Sequence, residues 1–291
     1  MPISTSVPAV LAGFLKKGAD AEMLIKRVGS GIAGISFLIA IVYAGSLPFF
    51  LLSALLTVVG AVEYHRLLPS KEDDNQLLLP ALSLTFIFAL YFSGRLSSGF
   101  ILAALVLFLS FFLLYILQII NFSYQDILFR LPVRFFGLIY LGGGFFFLSL
   151  LRDFSSAPLA QARALWFVLI ATWASDTGAY FIGRALGRKK LAPKISPNKT
   201  IAGALGGLFL SLLLVSIYTL ILGIFRPLWI PLALLLAAVS ILGDLFASCL
   251  KRDAGADDTG EIIPGHGGVL DRFDSLLFSA PSAYFLFLFL L

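Results

Sequence analysis

Five aspartates stand where the sequence is otherwise apolar or rich in glycine: Asp176, Asp244, Asp258, Asp271 and Asp274. Asp176 lies in Ser175-Asp176-Thr177-Gly178-Ala179-Tyr180, inside a long apolar run. An ionisable group at that depth is costly and by default marks a functional site facing a cavity. Asp244, Ser248 and Lys251 are spaced i, i+4, i+7, which puts them on one helix face running from an acid near the membrane to a base at the water. Gly243 beside Asp244 permits close approach of another helix. The densest polar stretch runs from Lys251-Arg252 through Asp257-Asp258-Thr259-Gly260 and His266-Gly267-Gly268 to Asp271-Arg272-Phe273-Asp274. Its glycines let backbone come close to a ligand.

Upstream, Ser196-Pro197-Asn198-Lys199-Thr200 reads as a helix start, with Ser196 as N-cap and Pro197 in the first turn. Free N–H groups together with Lys199 make a ready phosphate site. The basic run from Arg184 to Lys194 reads as a charged cytoplasmic loop. His65, in Glu63-Tyr64-His65-Arg66, reads as an interface anchor. Cys249, the single cysteine, has no His or acid at nucleophile spacing and reads as packing. Neither G-x-x-x-x-G-K-[ST] nor G-x-G-x-x-G occurs. Acids, bases and glycine loops without an activated Ser or Cys suit phosphoryl or nucleotidyl transfer. In such chemistry acids hold Mg²⁺, and Lys and Arg neutralise the leaving group.

The elements that position these residues must be membrane helices. The 291 residues are 59% hydrophobic and 13% charged, against about 25% charged in a soluble domain; mean hydropathy is +0.99. This excludes a soluble enzyme, a disordered chain and a coiled coil, and long unbroken apolar runs argue against a barrel. The net charge of +5 reflects membrane topology, and no nucleic-acid partner is expected. The fold expected is all-α and polytopic, with about nine transmembrane helices near 29–45, 47–65, 77–94, 98–119, 135–151, 164–183, 200–224, 228–249 and 274–291. Residues 1–28 form a cytoplasmic lead, 29–160 a transmembrane scaffold and 161–291 a catalytic domain. With the N-terminus in the cytoplasm, 17 of the 21 basic residues fall on the cytoplasmic side, leaving Arg95, Arg152, Arg163 and Arg226 outside. That orientation satisfies the positive-inside bias and puts both polar loops, 184–199 and 250–273, on one face.

At these residues the chain resembles the phosphatidate cytidylyltransferases, or CDP-diacylglycerol synthases. The family signature Ser-x-x-Lys-Arg followed by His-Gly-Gly-x-x-Asp-Arg-x-Asp appears as Ser248-Cys249-Leu250-Lys251-Arg252 and His266-Gly267-Gly268-Val269-Leu270-Asp271-Arg272-Phe273-Asp274. Further blocks match at 175–180, 191–200 and 243–246. The resemblance implies that CTP and phosphatidate give CDP-diacylglycerol and pyrophosphate, with Mg²⁺ and room for a second cation. It implies catalytic roles for Asp244, Asp271, Lys251, Arg252, Asp258 and His266, with Asp244, Asp271 and Asp274 on metal. Asp176, Ser196, Asn198, Lys199, Thr200, Ser248, Gly267, Gly268 and Arg272 would bind substrate. The expected partners are these substrates and membrane lipids, with a homodimer also compatible. The expected location is a bacterial inner membrane, with the active face cytoplasmic.

Three positions depart from the family pattern. Ala202 and Ala247 stand where Glu is expected, and Asp257 where Lys is expected. If those residues belong to the active constellation, the chain is expected to be slow or inactive. Two other readings compete. One is a CTP-dependent kinase or cytidylyltransferase acting on an isoprenoid lipid, where a kinase would need a base to deprotonate an alcohol. The other is an ion or anion transporter using Asp176 and Asp244. Confinement of the polar residues to one half of the chain counts against the transporter, because such folds commonly carry paired broken helices in two related halves.

Overall fold

A computed structural model of the chain describes residues 31, 33–68, 75–94, 99–120, 127–160, 162–260 and 267–291. The expected lead over 1–28 and His266 lie outside the described residues. The described chain is helical apart from one small hairpin. In order come α1 (Ala33–Ala44), α2 (Ser46–Leu67), α3 (Leu78–Ser93), α4 (Gly99–Ile120), α5 (Ile127–Leu138) and α6 (Gly144–Arg152). Then follow α7 (Arg163–Leu186), β1 (Lys190–Ala192), β2 (Ser196–Thr200), α8 (Ile201–Ile221), α9 (Trp229–Asp253) and α10 (Leu270–Leu290). A π-turn, Ile139–Gly143, joins α5 to α6, so one bent rod fills the place of the expected fifth span.

Among the described residues, seven helical segments are long and apolar enough to cross a membrane. The remaining two, α1 and α3, are shorter than the roughly 20 residues a span needs. The outer surface carries the signature of a lipid solvent. Ile101, Leu105, Phe108 and Phe112 on α4 and Leu205, Phe209 and Leu220 on α8 are exposed, whereas a water-soluble protein rarely shows contiguous apolar patches of this extent. The interior is aromatic: Tyr64, Phe145, Phe167, Trp229 and Phe287 are fully buried. Phe167 meets Trp229 and Phe287 at ring-centroid distances of 5.5 and 5.4 Å. These edge-on contacts lock α7, α9 and α10 around one point.

Two features of the packing position the polar residues. The first is a seam between α7 and α8 built on backbone. A Cβ added at Gly178 would lie 2.5 Å from the Gly206 carbonyl oxygen, and one at Gly207 would lie 2.7 Å from the Ser175 carbonyl oxygen. Small residues replace side-chain packing there, and the two helix axes approach closely. The second is the end of α9. Gly255 adopts φ +67, and the Ala256 N–H donates to the Lys251 carbonyl at 2.8 Å. This left-handed terminator stops the helix after Lys251 and Arg252 and turns the chain back toward α10.

The start of α8 differs from the expectation. Residues 196–200 are not a first helical turn but strand β2, paired antiparallel with β1 in the register Ala192↔Ser196 and Lys190↔Thr200. The N-cap is Thr200, whose hydroxyl accepts from the Gly203 N–H at 3.1 Å. Pro197 is compatible with a hairpin edge as well as with a helix start, and the β-branched cap three residues later decides the boundary. The last helix also starts earlier than expected, at Leu270, so Asp271 and Asp274 share its opening turns.

Candidate active site

Beside the α7–α8 seam lies a cavity of about 570 Å³. Its walls are Asp176, Tyr180 and Arg184 from α7, Lys190 and Leu191 from β1, Asn198, Lys199 and Thr200 from β2, Gly203 and Ala204 from α8, and Ile241 and Asp244 from α9. The seam fixes Asp176 against the N-terminal end of α8, and the hairpin folds Lys199 over the same opening. Lys199 Nζ lies 2.6 Å from Asp244 Oδ2. The approach is that of an ion pair without directed hydrogen-bond geometry, and the buried ammonium has no hydrogen-bond partner among the described residues. Asp176 and Asp274 stand within Coulombic reach of Asp244 and of each other, with Lys199 and Arg272 near Asp176 and Lys251 near Asp274.

A second polar network lies beside this one, at the turn between α9 and α10. Asp271 Oδ1 accepts from Lys251 Nζ at 2.7 Å. Its Oδ2 accepts from the Thr259 N–H at 2.9 Å, the Thr259 hydroxyl at 3.0 Å and the Gly268 N–H at 3.0 Å. Across from it stands Glu63 of α2, fully buried. Glu63 Oε1 accepts from the Val269 N–H at 2.9 Å, and Oε2 accepts from the Leu270 N–H at 2.8 Å. The Thr259 hydroxyl also lies 3.3 Å from Glu63 Oε2, so one O–H stands between two carboxylates. Two acids therefore satisfy the free N–H groups at the start of α10 and complement its dipole.

The expected site residues divide between these networks. The cavity brings together Asp176, Asn198, Lys199, Thr200 and Asp244. Ser196, Ser248, Lys251, Arg252, Asp258, Gly267, Gly268, Asp271, Arg272 and Asp274 are not on its walls. Arg252 points outward, donating to Asp257 at 2.6 Å and reaching the Ile195 carbonyl at 3.4 Å. That second contact ties the hairpin turn to the end of α9. Asp257 is 91% exposed, and the Arg252 guanidinium beside it holds its carboxyl below the usual range. Gly267, at φ +80, and Gly268 bring backbone close to carboxylates of the protein itself. A Cβ on Gly268 would sit 2.6 Å from Glu63 Oε2. Of the three departures, Ala247 is buried, Ala202 lies in the first turn of α8 and Asp257 is on the surface.

Sequence reasoning missed three contributors. Arg184 and Lys190 line the cavity although their run reads as ordinary loop charge. Glu63 carries the same signal as Asp176, an acid within an apolar span, but its neighbours drew the reading toward an interface anchor.

The model of the cytidylyltransferase family matches residues 25–290. The chain belongs to this family. It is 34% identical over 270 residues to the phosphatidate cytidylyltransferase of Bacillus subtilis (strain 168), covering 90% of this chain and 96% of that protein. It is 42% identical over 147 residues to the phosphatidate cytidylyltransferase of Haemophilus influenzae, covering 48% of this chain and 51% of the relative. The Staphylococcus aureus (strain COL) protein of the same name is 40% identical over 163 residues, covering 55% and 59%. The expected family and the all-α membrane fold are both borne out.

Proposed function

We propose that this family member transfers a cytidylyl group from CTP to phosphatidate, giving CDP-diacylglycerol and pyrophosphate. The observation that carries the reading is the buried Lys199 ammonium beside Asp244, in a cavity that also holds Arg184, Lys190 and Asn198. A cationic cavity of this size suits a nucleoside triphosphate. The phosphomonoester oxygen of the lipid attacks the α-phosphorus of CTP. The bond from that phosphorus to the bridging oxygen of the β-phosphate breaks, and pyrophosphate leaves with the electron pair. The nucleophile is already anionic, so no general base is required. Lys199, Lys190 and Arg184 hold and neutralise the phosphates, and Asn198 adds a hydrogen-bonding group on the same strand.

No group of three His, Cys, Asp or Glu residues at metal-binding distance exists among the described residues. Mg²⁺ usually takes one or two carboxylates and fills its shell with phosphates and water, so Asp244 with Asp176 or Asp274 fits it. Asp271 fits poorly, because four donors already engage its two oxygens. When bound, Mg²⁺ supplies charge neutralisation on the triphosphate. The positive-inside pattern supports a bacterial cell membrane location with the cavity open to the cytoplasm, where CTP is found. The test is incubation of the purified protein with radiolabelled CTP, phosphatidate and Mg²⁺, with products read by mass spectrometry. A CDP-lipid and pyrophosphate are expected. A phosphorylated lipid with release of CDP would replace the reading with a kinase, and the absence of any lipid product would refute it.

A further inference from the structure

A second cavity, of about 430 Å³, is lined by Tyr43 of α1, Arg163, Trp166 and Ile170 of α7, and Tyr218 and Leu222 of α8. It lies at the other end of α7 from the reaction cavity. Arg163 and Arg184 are 21 positions apart, which is about 31 Å along a helix axis, or roughly the thickness of the hydrocarbon core. Arg163, Trp166 and Ile170 are spaced i, i+3, i+7 and form one stripe. The stripe grades from a cation, through an indole, to an aliphatic side chain. Tyr218, in the last turn of the antiparallel α8, and Leu222, its C-cap, close the Arg163 end of the cavity. The Tyr218 hydroxyl donates to the Arg163 carbonyl at 3.1 Å and holds the two helices together there.

The Arg163 guanidinium and the Trp166 indole N–H are donors, and no carboxylate lines the cavity among the described residues. Arg163 spends one N–H on the Pro158 carbonyl at 3.2 Å and has no acidic partner among the described residues. The Trp166 Nε1–H is buried with no hydrogen-bond partner among the described residues, which is costly for a donor shut away from water. A guanidinium and an orphaned indole N–H at headgroup depth, above an aliphatic slot, match one amphiphile in charge and in shape.

We infer that this cavity binds a membrane phospholipid in the leaflet opposite the reaction cavity, with its phosphodiester on Arg163 and Trp166 and an acyl chain running inward along Ile170. This lipid is a bound companion and not a substrate, because the site shares no residue with the reaction cavity.

The test uses the full-length protein in detergent, titrated separately with phosphatidylglycerol, diacylglycerol and inorganic phosphate, with bound ligand counted by native mass spectrometry. Wild type should retain one phosphatidylglycerol whose affinity falls at least tenfold in Arg163→Met and is unchanged in Lys199→Met. Diacylglycerol should not be retained, and inorganic phosphate at equal concentration should not displace the lipid. If Arg163→Met is not monodisperse, Trp166→Phe decides, since it keeps an aromatic ring at the site and removes the donor; a loss of at least threefold is expected. Equal retention by wild type and the decisive variant would overturn the inference. Retention of diacylglycerol would show an apolar slot without headgroup recognition, and displacement by phosphate a free-anion site; either result also overturns it.

Discussion

Replacing Glu63 with alanine is the perturbation whose size the structure sets most directly. The Glu63 carboxylate is fully buried and accepts from the Val269 and Leu270 N–H groups at 2.9 and 2.8 Å. A hydrogen bond to a charged group contributes about 1.5–3 kcal/mol, and a donor left unpaired in the interior costs a similar amount. Two such donors put the local cost at about 3–6 kcal/mol, since the small alanine side chain offers no acceptor. At 1.4 kcal/mol per decade, opening of the first turn of α10 should become about two to four orders of magnitude more frequent. Amide hydrogen exchange followed by mass spectrometry on peptides covering 267–275 reads that change. Glu63→Gln keeps one carbonyl acceptor but turns an amide N–H toward a second donor, so it should show about half the effect in free energy. Cytidylyl transfer should fall with kcat more than with KM for CTP, because Glu63 lies outside the cavity and acts through the turn that holds Asp271 and Lys251. Exchange within threefold of wild type in Glu63→Ala would refute the reasoning, and an unchanged kcat would separate the turn from the chemistry.

Lys199→Met should weaken CTP binding at least tenfold by calorimetry while leaving the melting temperature within a few degrees. Asp244→Asn should abolish the binding of Mn²⁺ detected by electron paramagnetic resonance in the presence of CTP, whereas Asp176→Asn and Asp274→Asn should each weaken it. The Arg252–Asp257 pair lowers the Asp257 pKa on folding, so its contribution is present above the ordinary carboxylate pKa and fades as pH falls through the lower folded value. Asp257→Asn should therefore leave the pH–rate profile between about pH 5 and 9 unchanged. Restoring Glu at 202 and 247 and Lys at 257, singly and together, should raise kcat; a triple variant no faster than the starting chain would show that those positions are incidental.

Seven of the nine expected spans were legible because an apolar run has a length and a membrane has a thickness, whereas the runs near 29–45 and 77–94 form helices shorter than a span. Asp176 and Asp244 were legible as cavity-lining acids because an ionisable group in such a run is costly unless it faces a cavity. The hairpin was not, since Ser196-Pro197 satisfies the rules for a helix start and only pairing with Lys190–Ala192, a contact between segments, reveals the strand. The same holds for Asp271. Its type and spacing suit a metal ligand, but Lys251, Thr259 and Gly268 reach its oxygens first, and three positions that far apart in the chain do not announce that they converge. Glu63 was hardest to read because the N–H groups it serves lie at Val269 and Leu270, near the other end of the chain, and backbone donors leave no trace in side-chain composition.

The cavity beside the α7–α8 seam has two kinds of wall. On one side the main chains of two helices approach closely at Gly178, Gly206 and Gly207, which leaves the helix axes little room to shift. On the other side stands a hairpin of three and five residues, fastened to α9 through the long Arg252–Ile195 contact. Whatever volume a substrate needs beyond that already present must come from the hairpin side. Discrimination between nucleotides is then a property of how far a short strand yields, while the placement of Asp176 stays the same for every ligand that enters.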